Sequence, residues 1–292
     1  MALLAEQRGI PIRTILLTIA AMIAFAANSL LCRMALGQDL IDAASFTSIR
    51  IIAGAVTLGL IVVQRSGTTQ LRPDWPAVAA LFGYMAFFSF AYVSLDAGTG
   101  ALLLFGSVQL TMFIAAIRGG ERFSLPSWVG LALAFAGLVY LVLPGVSAPE
   151  PVGAVLMVLA GIAWGGYCLV GRSTGSPLLS TTANFLFCIP LTLVLGAMFF
   201  QSADLSLEGA LLAVASGAVA SGVGYAIWYS VLPQLTTGRA ATVQLSVPVI
   251  AAAGGVLLLS EQATARLIVA AGLTLGGIWL VLAQRSRQVT RS

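Results

Sequence analysis

The chain has 292 residues, 59% of them hydrophobic and 8% charged, with a mean hydropathy of +1.02, whereas a soluble domain carries about 25% charged residues. At ~20 apolar residues per spanning helix, this length allows roughly ten crossings and leaves about 90 residues for loops, which excludes a soluble enzyme and any sizeable extramembrane domain. The 14 basic residues are all arginine, give a net charge of +4, and are scattered singly between apolar runs, so nothing points to a nucleic-acid partner.

Ten apolar runs follow one another near residues 14–33, 43–63, 75–95, 98–117, 126–143, 152–171, 178–200, 209–232, 240–260 and 266–283. Each is long enough to cross ~30 Å of hydrocarbon as a helix, and a backbone in lipid has to satisfy its own hydrogen bonds. Pro73, Pro76, Pro126, the stretch from Pro144 to Pro151, and Pro177 punctuate the breaks. Arg8 and Arg13 ahead of the first run resemble the flank of a signal peptide, but the run reads as an uncleaved first span. With the N-terminus in the cytoplasm, 11 of the 14 arginines face inward, only Arg33, Arg50 and Arg266 fall outward, and seven of the ten acids face outward. The positive-inside rule then places both termini in the cytoplasm of a bacterial inner membrane.

The runs repeat. IAFAANSLLCR at 23–33 aligns with IAWGGYCLVGR at 162–172, VQLT at 108–111 echoes VQLS at 243–246, and Glu121 and Gly137 fall on Glu261 and Gly277. An odd number of helices per repeat turns the second copy upside down, which puts a substrate near the midplane between the halves. The division is residues 1–147 and 148–292. The fold class is an all-α integral membrane protein: ten transmembrane helices as two inverted five-helix repeats around a central cavity.

These features resemble the drug/metabolite transporter superfamily, specifically its EamA-type exporters, among them the bacterial aromatic amino-acid exporters. The resemblance rests on ten helices in 292 residues, the IAF/IAW–Arg segment opening each half, and a Glu ending helices 4 and 9. It implies metabolite export by alternating access, with helices 1, 3, 4, 6, 8 and 9 around the cavity and helices 5 and 10 at the periphery.

The candidate substrate-binding residues follow from the side chains these helices carry. Tyr84, Phe88 and Tyr92 share one face of helix 3, and Tyr225 and Trp228 share a face of helix 8. Phe25 and Asn28 on helix 1 match Trp164 and Tyr167 on helix 6. Gln109 and Gln244 are repeat-matched amides that need either an interhelical partner or a polar cavity. Aromatic stripes in membrane helices serve equally as packing surface, whereas tyrosine and tryptophan deep in a span need polar partners away from lipid. Trp75, Trp128 and Trp279 read as interfacial anchors. Arg33 and Arg172 suit the negative ends of helices 1 and 6. Arg50 is expected to snorkel outward toward Asp39, Asp42 or Asp96, while Ser124 and Thr264 look like N-caps. Gly161 with Gly165, and Gly272 with Gly276, offer close-packing positions.

No histidine is present, no carboxylate lies mid-span, and Cys32, Cys168 and Cys188 form no CxxC pair. Intramembrane catalysis, a metal site and a cofactor are therefore not expected. The partners are a small-molecule substrate and the lipid bilayer; the sequence leaves the oligomeric state open and is compatible with a monomer. A carrier of sugar phosphates would need cations at the midplane, and none is expected there. The absence of a midplane carboxylate points to a uniporter or exchanger, with a proton-coupled antiporter as the alternative.

Overall fold

The computed structural model describes residues 11–67, 71–121, 123–145, 147–171, 175–235 and 237–289. Arg8, Arg122, Arg172 and Arg291 lie outside them. Among the described residues ten helices are long and apolar enough to span: α1 (Ile12–Leu36), α2 (Ala43–Arg65), α3 (Trp75–Tyr92), α4 (Ala97–Arg118), α5 (Leu125–Val142), α6 (Pro151–Val170), α7 (Pro177–Met198), α8 (Leu207–Gln234), α9 (Arg239–Leu259) and α10 (Ala265–Ala283). The only extended pairing among them is one isolated bridge, Ile41 with Leu205. Leu193, Leu207 and Leu257 are among the most exposed side chains. Outward aliphatic residues of this kind suit lipid as the solvent.

Local chemistry explains where the helices begin. The Asp42 carboxylate accepts from the Ala44 and Ser45 N–H groups, Asp74 from Ala77, and Glu150 from Val152 and Gly153; these are N-caps. The N–H groups of Gly153 and then Val152 hold the Glu150 carboxyl below its ordinary range. Thr264 caps α10 through the Leu267 N–H, as expected. Ser124 stands at the N-cap position of α5 but makes no capping bond; its hydroxyl pairs with Ser127.

Two helices depart from regular geometry. In α9 the helix breaks at Leu245, between Thr237–Gln244 and Ser246–Leu259. Pro248 accounts for the break, since it has no N–H for the Gln244 carbonyl and its ring crowds that turn. The matching α4 is continuous, so the halves differ there. In α8, residues Ala215–Val223 widen into a π-helix.

Small residues set the helix crossings. α5 and α10 pack on each other, where a side chain at Gly130 would strike the Gly277 carbonyl and one at Gly137 would strike Thr274. Gly137 and Gly277, matched in the repeat, thus serve one peripheral interface. Gly161 and Gly165 bring α6 against Ser107 and Thr111 of α4, as expected. The expectation for Gly272 and Gly276 fails, because nothing lies within 4 Å of a side chain built there. These two face outward, one helical face away from Gly277.

Candidate functional site

Eight of the expected aromatic residues meet in one continuous cluster drawn from both halves. Trp164 of α6 is its hub, with ring centroids 4.9 Å from Tyr84, 5.2 Å from Tyr167 and 5.7 Å from Tyr225. Phe25 lies 5.6 Å from Tyr225 and 6.0 Å from Trp228. Along α3, Tyr84 touches Phe88 and Phe88 touches Tyr92, at 5.5 and 4.7 Å. The i, i+4, i+8 spacing on α3 produces this ladder. Tyr92 ends it, with its ring under Gly100 and its hydroxyl donating to the Ala97 carbonyl at 3.3 Å.

The amides divide. Asn28 is buried and accepts from the Ser216 and Ser221 hydroxyls at 2.9 and 3.2 Å, which ties α1 to the π-helical part of α8. Gln109 and Gln244 are half-buried, belong to no ring contact and make no side-chain hydrogen bond among the described residues. No hydrogen bond among the described residues ties either of them to the cluster.

Residues outside the expected set complete it. On α7, Phe185 packs edge-on to Tyr225 at 6.1 Å. A hydrogen-bonded chain runs Tyr229–Thr181–Tyr167, at 2.9 and 3.0 Å, and Asn184 Nδ2 donates to the Tyr167 hydroxyl at 3.4 Å. The Asn184 Oδ1 has no partner. The signal was present in the sequence: Asn184 is an amide within an apolar run, like the three that were singled out.

Arg50 of α2 is the larger correction. It does not snorkel to Asp39, Asp42 or Asp96. Its side chain is 0% exposed, and the guanidinium lies 4.8 Å from the Phe88 ring centroid and 5.6 Å from that of Tyr84. Its one hydrogen bond runs from Nη2 to the Tyr84 hydroxyl at 3.3 Å, while Nε and Nη1 have no partner. A side chain at Gly217 would overlap the Arg50 carbonyl oxygen, so α8 lies directly on the α2 backbone at this level. A buried cation is therefore present where none was expected.

At the end of the bundle opposite the termini, polar contacts stitch the loops. Arg33 Nη1 donates to the Tyr92 and Val93 carbonyls at 3.3 and 3.1 Å, and the guanidinium pairs with Asp96 at 3.5 Å and Glu261 at 3.4 Å. Arg33 thus sits at the C-terminal end of its own helix, as expected, and also takes the last carbonyls of α3. Glu261 also accepts the Ala97 N–H at 3.0 Å. Burial raises the Glu261 carboxyl above its ordinary 4.5, and Asp96 adds to this; the Ala97 N–H and Arg33 oppose the rise without cancelling it. Nearby, Asp42 accepts the Asp204 N–H at 3.1 Å and Ser206 donates to the Leu40 carbonyl at 2.6 Å. At the other end Thr14 donates to the Gln234 side chain at 2.5 Å, linking α1 to α8.

The chain matches the EamA-like transporter family over residues 12–143 and again over 151–283, one match per half. It is 50% identical to an uncharacterized protein of Pseudomonas aeruginosa over 96% of this chain and 98% of that one. A probable amino-acid metabolite efflux pump of Escherichia coli is 26% identical, over 72% of this chain and 78% of the relative. A probable terminal-alkyne amino-acid exporter of Streptantibioticus cattleyicolor is 23% identical, over 84% and 86%. One crystal structure superposes with a TM-score of 0.64 at 19% identity, covering 91% of this chain and 97% of the other, which shows the shared fold. Ten spanning helices, a family match repeated in each half and a relative sharing half of its residues lead to one statement: the chain belongs to the EamA-like transporter family.

Proposed function

We propose that this membrane transporter exports small neutral, partly apolar metabolites across the inner membrane, foremost amino acids with aromatic or other hydrophobic side chains. The observation that carries the reading is the aromatic cluster centred on Trp164, which joins α1, α3, α6 and α8 inside the bundle. Ring faces of this kind bind apolar and aromatic side chains at little conformational cost. The efflux pump and exporter among the relatives support amino-acid cargo. Transport proceeds by alternating access as a uniporter or exchanger, because among the described residues no carboxylate belongs to the ring cluster. Residues 1–147 and 148–292 are the two moving halves.

The test is reconstitution in proteoliposomes with a panel of labelled amino acids. Leucine, phenylalanine and tryptophan are expected to exchange, while aspartate and lysine are not. Failure of every apolar amino acid defeats the reading.

A second reading, proton-coupled antiport, is favoured by one observation: Glu261 is titratable and sits in the Arg33 contact that joins the loops. An imposed pH gradient with equal substrate on both sides separates the two. The uniporter gives no net movement. Uphill accumulation that collapses with a protonophore and vanishes in Glu261→Gln establishes the antiporter.

A further inference from the structure

We infer that Arg50 is the anchor for a substrate carboxylate, so that the cargo of this transporter bears a single negative group beside its apolar part. The proposal rests on the exporter reading and specifies the chemistry of its cargo.

Arg50 lies seven residues inside α2, about 10 Å below the helix start at ~1.5 Å per residue. A guanidinium has five N–H donors and no acceptor. Here one long bond to Tyr84 uses a single donor, and both Nε and Nη1 are buried without a partner. The faces of Phe88 and Tyr84 offer cation–π attraction, but ring faces leave in-plane N–H groups unsatisfied. A buried charge without a counter-charge is costly, and no carboxylate among the described residues pairs with it. The ion pairs at this end of the bundle belong to Arg33.

The neighbourhood suits a small anion. Because arginine can only donate, the Tyr84 oxygen accepts from Arg50 and its own hydrogen remains to be given. Arg50 and Tyr84 together therefore present several donors that no hydrogen bond among the described residues uses. Tyr84 is in ring contact with Trp164, so an anion on Arg50 places the rest of a small molecule against the aromatic hub. One fixed cation with no lysine or second arginine beside it matches a monoanionic carboxylate, which guanidinium binds as a bidentate pair. A phosphate dianion would keep half of its charge unmatched.

The experiment reads ligand binding and transport together. Purified protein in nanodiscs is titrated with phenylalanine, 3-phenylpropanoate, phenylalaninamide, phenethylamine and inorganic phosphate, followed by intrinsic tryptophan fluorescence and thermal midpoint. The expected result is that the two carboxylates bind at least roughly tenfold more tightly than the amide and amine, the difference a charge-assisted pair makes, with no response to phosphate. Equal binding of all four organic probes overturns the anchor, and a response to phosphate alone overturns the carboxylate. This arm needs no variant and does not depend on one that folds.

Arg50→Leu supplies the second arm. Removing an uncompensated buried charge is expected to raise the thermal midpoint of the ligand-free protein and to abolish the midpoint rise that phenylalanine gives the parent. A lower midpoint with the phenylalanine response intact makes Arg50 a packing residue and overturns the proposal. The two readings fail separately. Binding ranked by carboxylate without transport of any amino acid defeats the exporter reading and leaves the anchor standing. Transport indifferent to the carboxylate does the reverse.

Discussion

The approach of α8 to α2 is the most exacting packing feature near the site, and Gly217→Ala perturbs it directly. A methyl at that position would meet the Ala53 Cβ and the Arg50 carbonyl carbon at 2.9 Å, with the Arg50 oxygen closer still. Ordinary carbon contacts are about 3.5–4.0 Å, so the helices must part by roughly 1 Å. Overpacking of this kind costs about 1–3 kcal/mol. The Ser216 and Ser221 bonds to Asn28 would stretch with it, at ~0.6 kcal/mol each in a membrane. Alanine returns about 0.5–1 kcal/mol of helix propensity, which leaves a net loss of roughly 1–3 kcal/mol by these same terms. Thermal unfolding in detergent, followed by tryptophan fluorescence, measures it. Gly272→Ala is the control, with nothing within 4 Å, and should raise the midpoint. If both variants raise it, the close crossing of α8 over the Arg50 backbone is wrong.

The ring cluster, the loop contacts and their pH dependence give three further expectations. Trp164→Ala removes three ring pairs, each worth ~0.5–1.5 kcal/mol; it should lower stability by about 2–4 kcal/mol and raise the apparent KM several-fold, with Trp164→Phe retaining most activity. Normal transport of every substrate by Trp164→Ala and Trp228→Ala would remove the cluster from the substrate path. Glu261→Gln weakens the Arg33 contact, so maleimide labelling of Cys32, which is fully buried in the neighbouring turn of α1, should accelerate; an unchanged rate refutes a role for this contact in closing that end. Because the Glu261 carboxyl is raised above 4.5 in the folded protein, the native state takes up this proton before the unfolded chain does. Its contribution to stability is fully present below 4.5 and is lost as pH rises through the folded value. The midpoint of the parent relative to Glu261→Gln should therefore rise on acidification, and a relative fall would contradict the assigned burial.

Helix number and order were readable from composition because a bilayer leaves the backbone few choices. The ends were less so: the third run, read as reaching residue 95, stops at Tyr92, where Arg33 takes the last carbonyls from a distant helix. Likewise Pro248 signals a break in α9, but its effect on the repeat symmetry emerges only once α4 is seen to run unbroken. The aromatic members of the site were legible from helical spacing, since residues four apart on α3 stack into a ladder whatever surrounds them. What spacing cannot supply is the neighbour across the gap. Asn28 reads as a cavity amide until two serines of α8 occupy its oxygen, and Gly272 reads as an interface until Gly277, one residue beyond Gly276, proves to be the one facing α5.

Arg50 shows the same limit most sharply. From sequence, a cation seven residues into a helix reaches for the nearest water, and three acidic residues near that end offered partners. At the level of Arg50 a residue 167 positions away that has no side chain, Gly217, lets α8 lie on the α2 backbone. The guanidinium lies instead over the rings of Phe88 and Tyr84. Those two residues belong to the ladder proposed to bind cargo on quite separate grounds. The helix that carries Arg50 thereby joins the site although the resemblance to related exporters assigns α2 no place at the cavity. On the carboxylate-anchor proposal, the buried charge and the aromatic faces are parts of one binding surface, polar at one end and apolar at the other. An apolar amino acid held by its carboxylate has that same division.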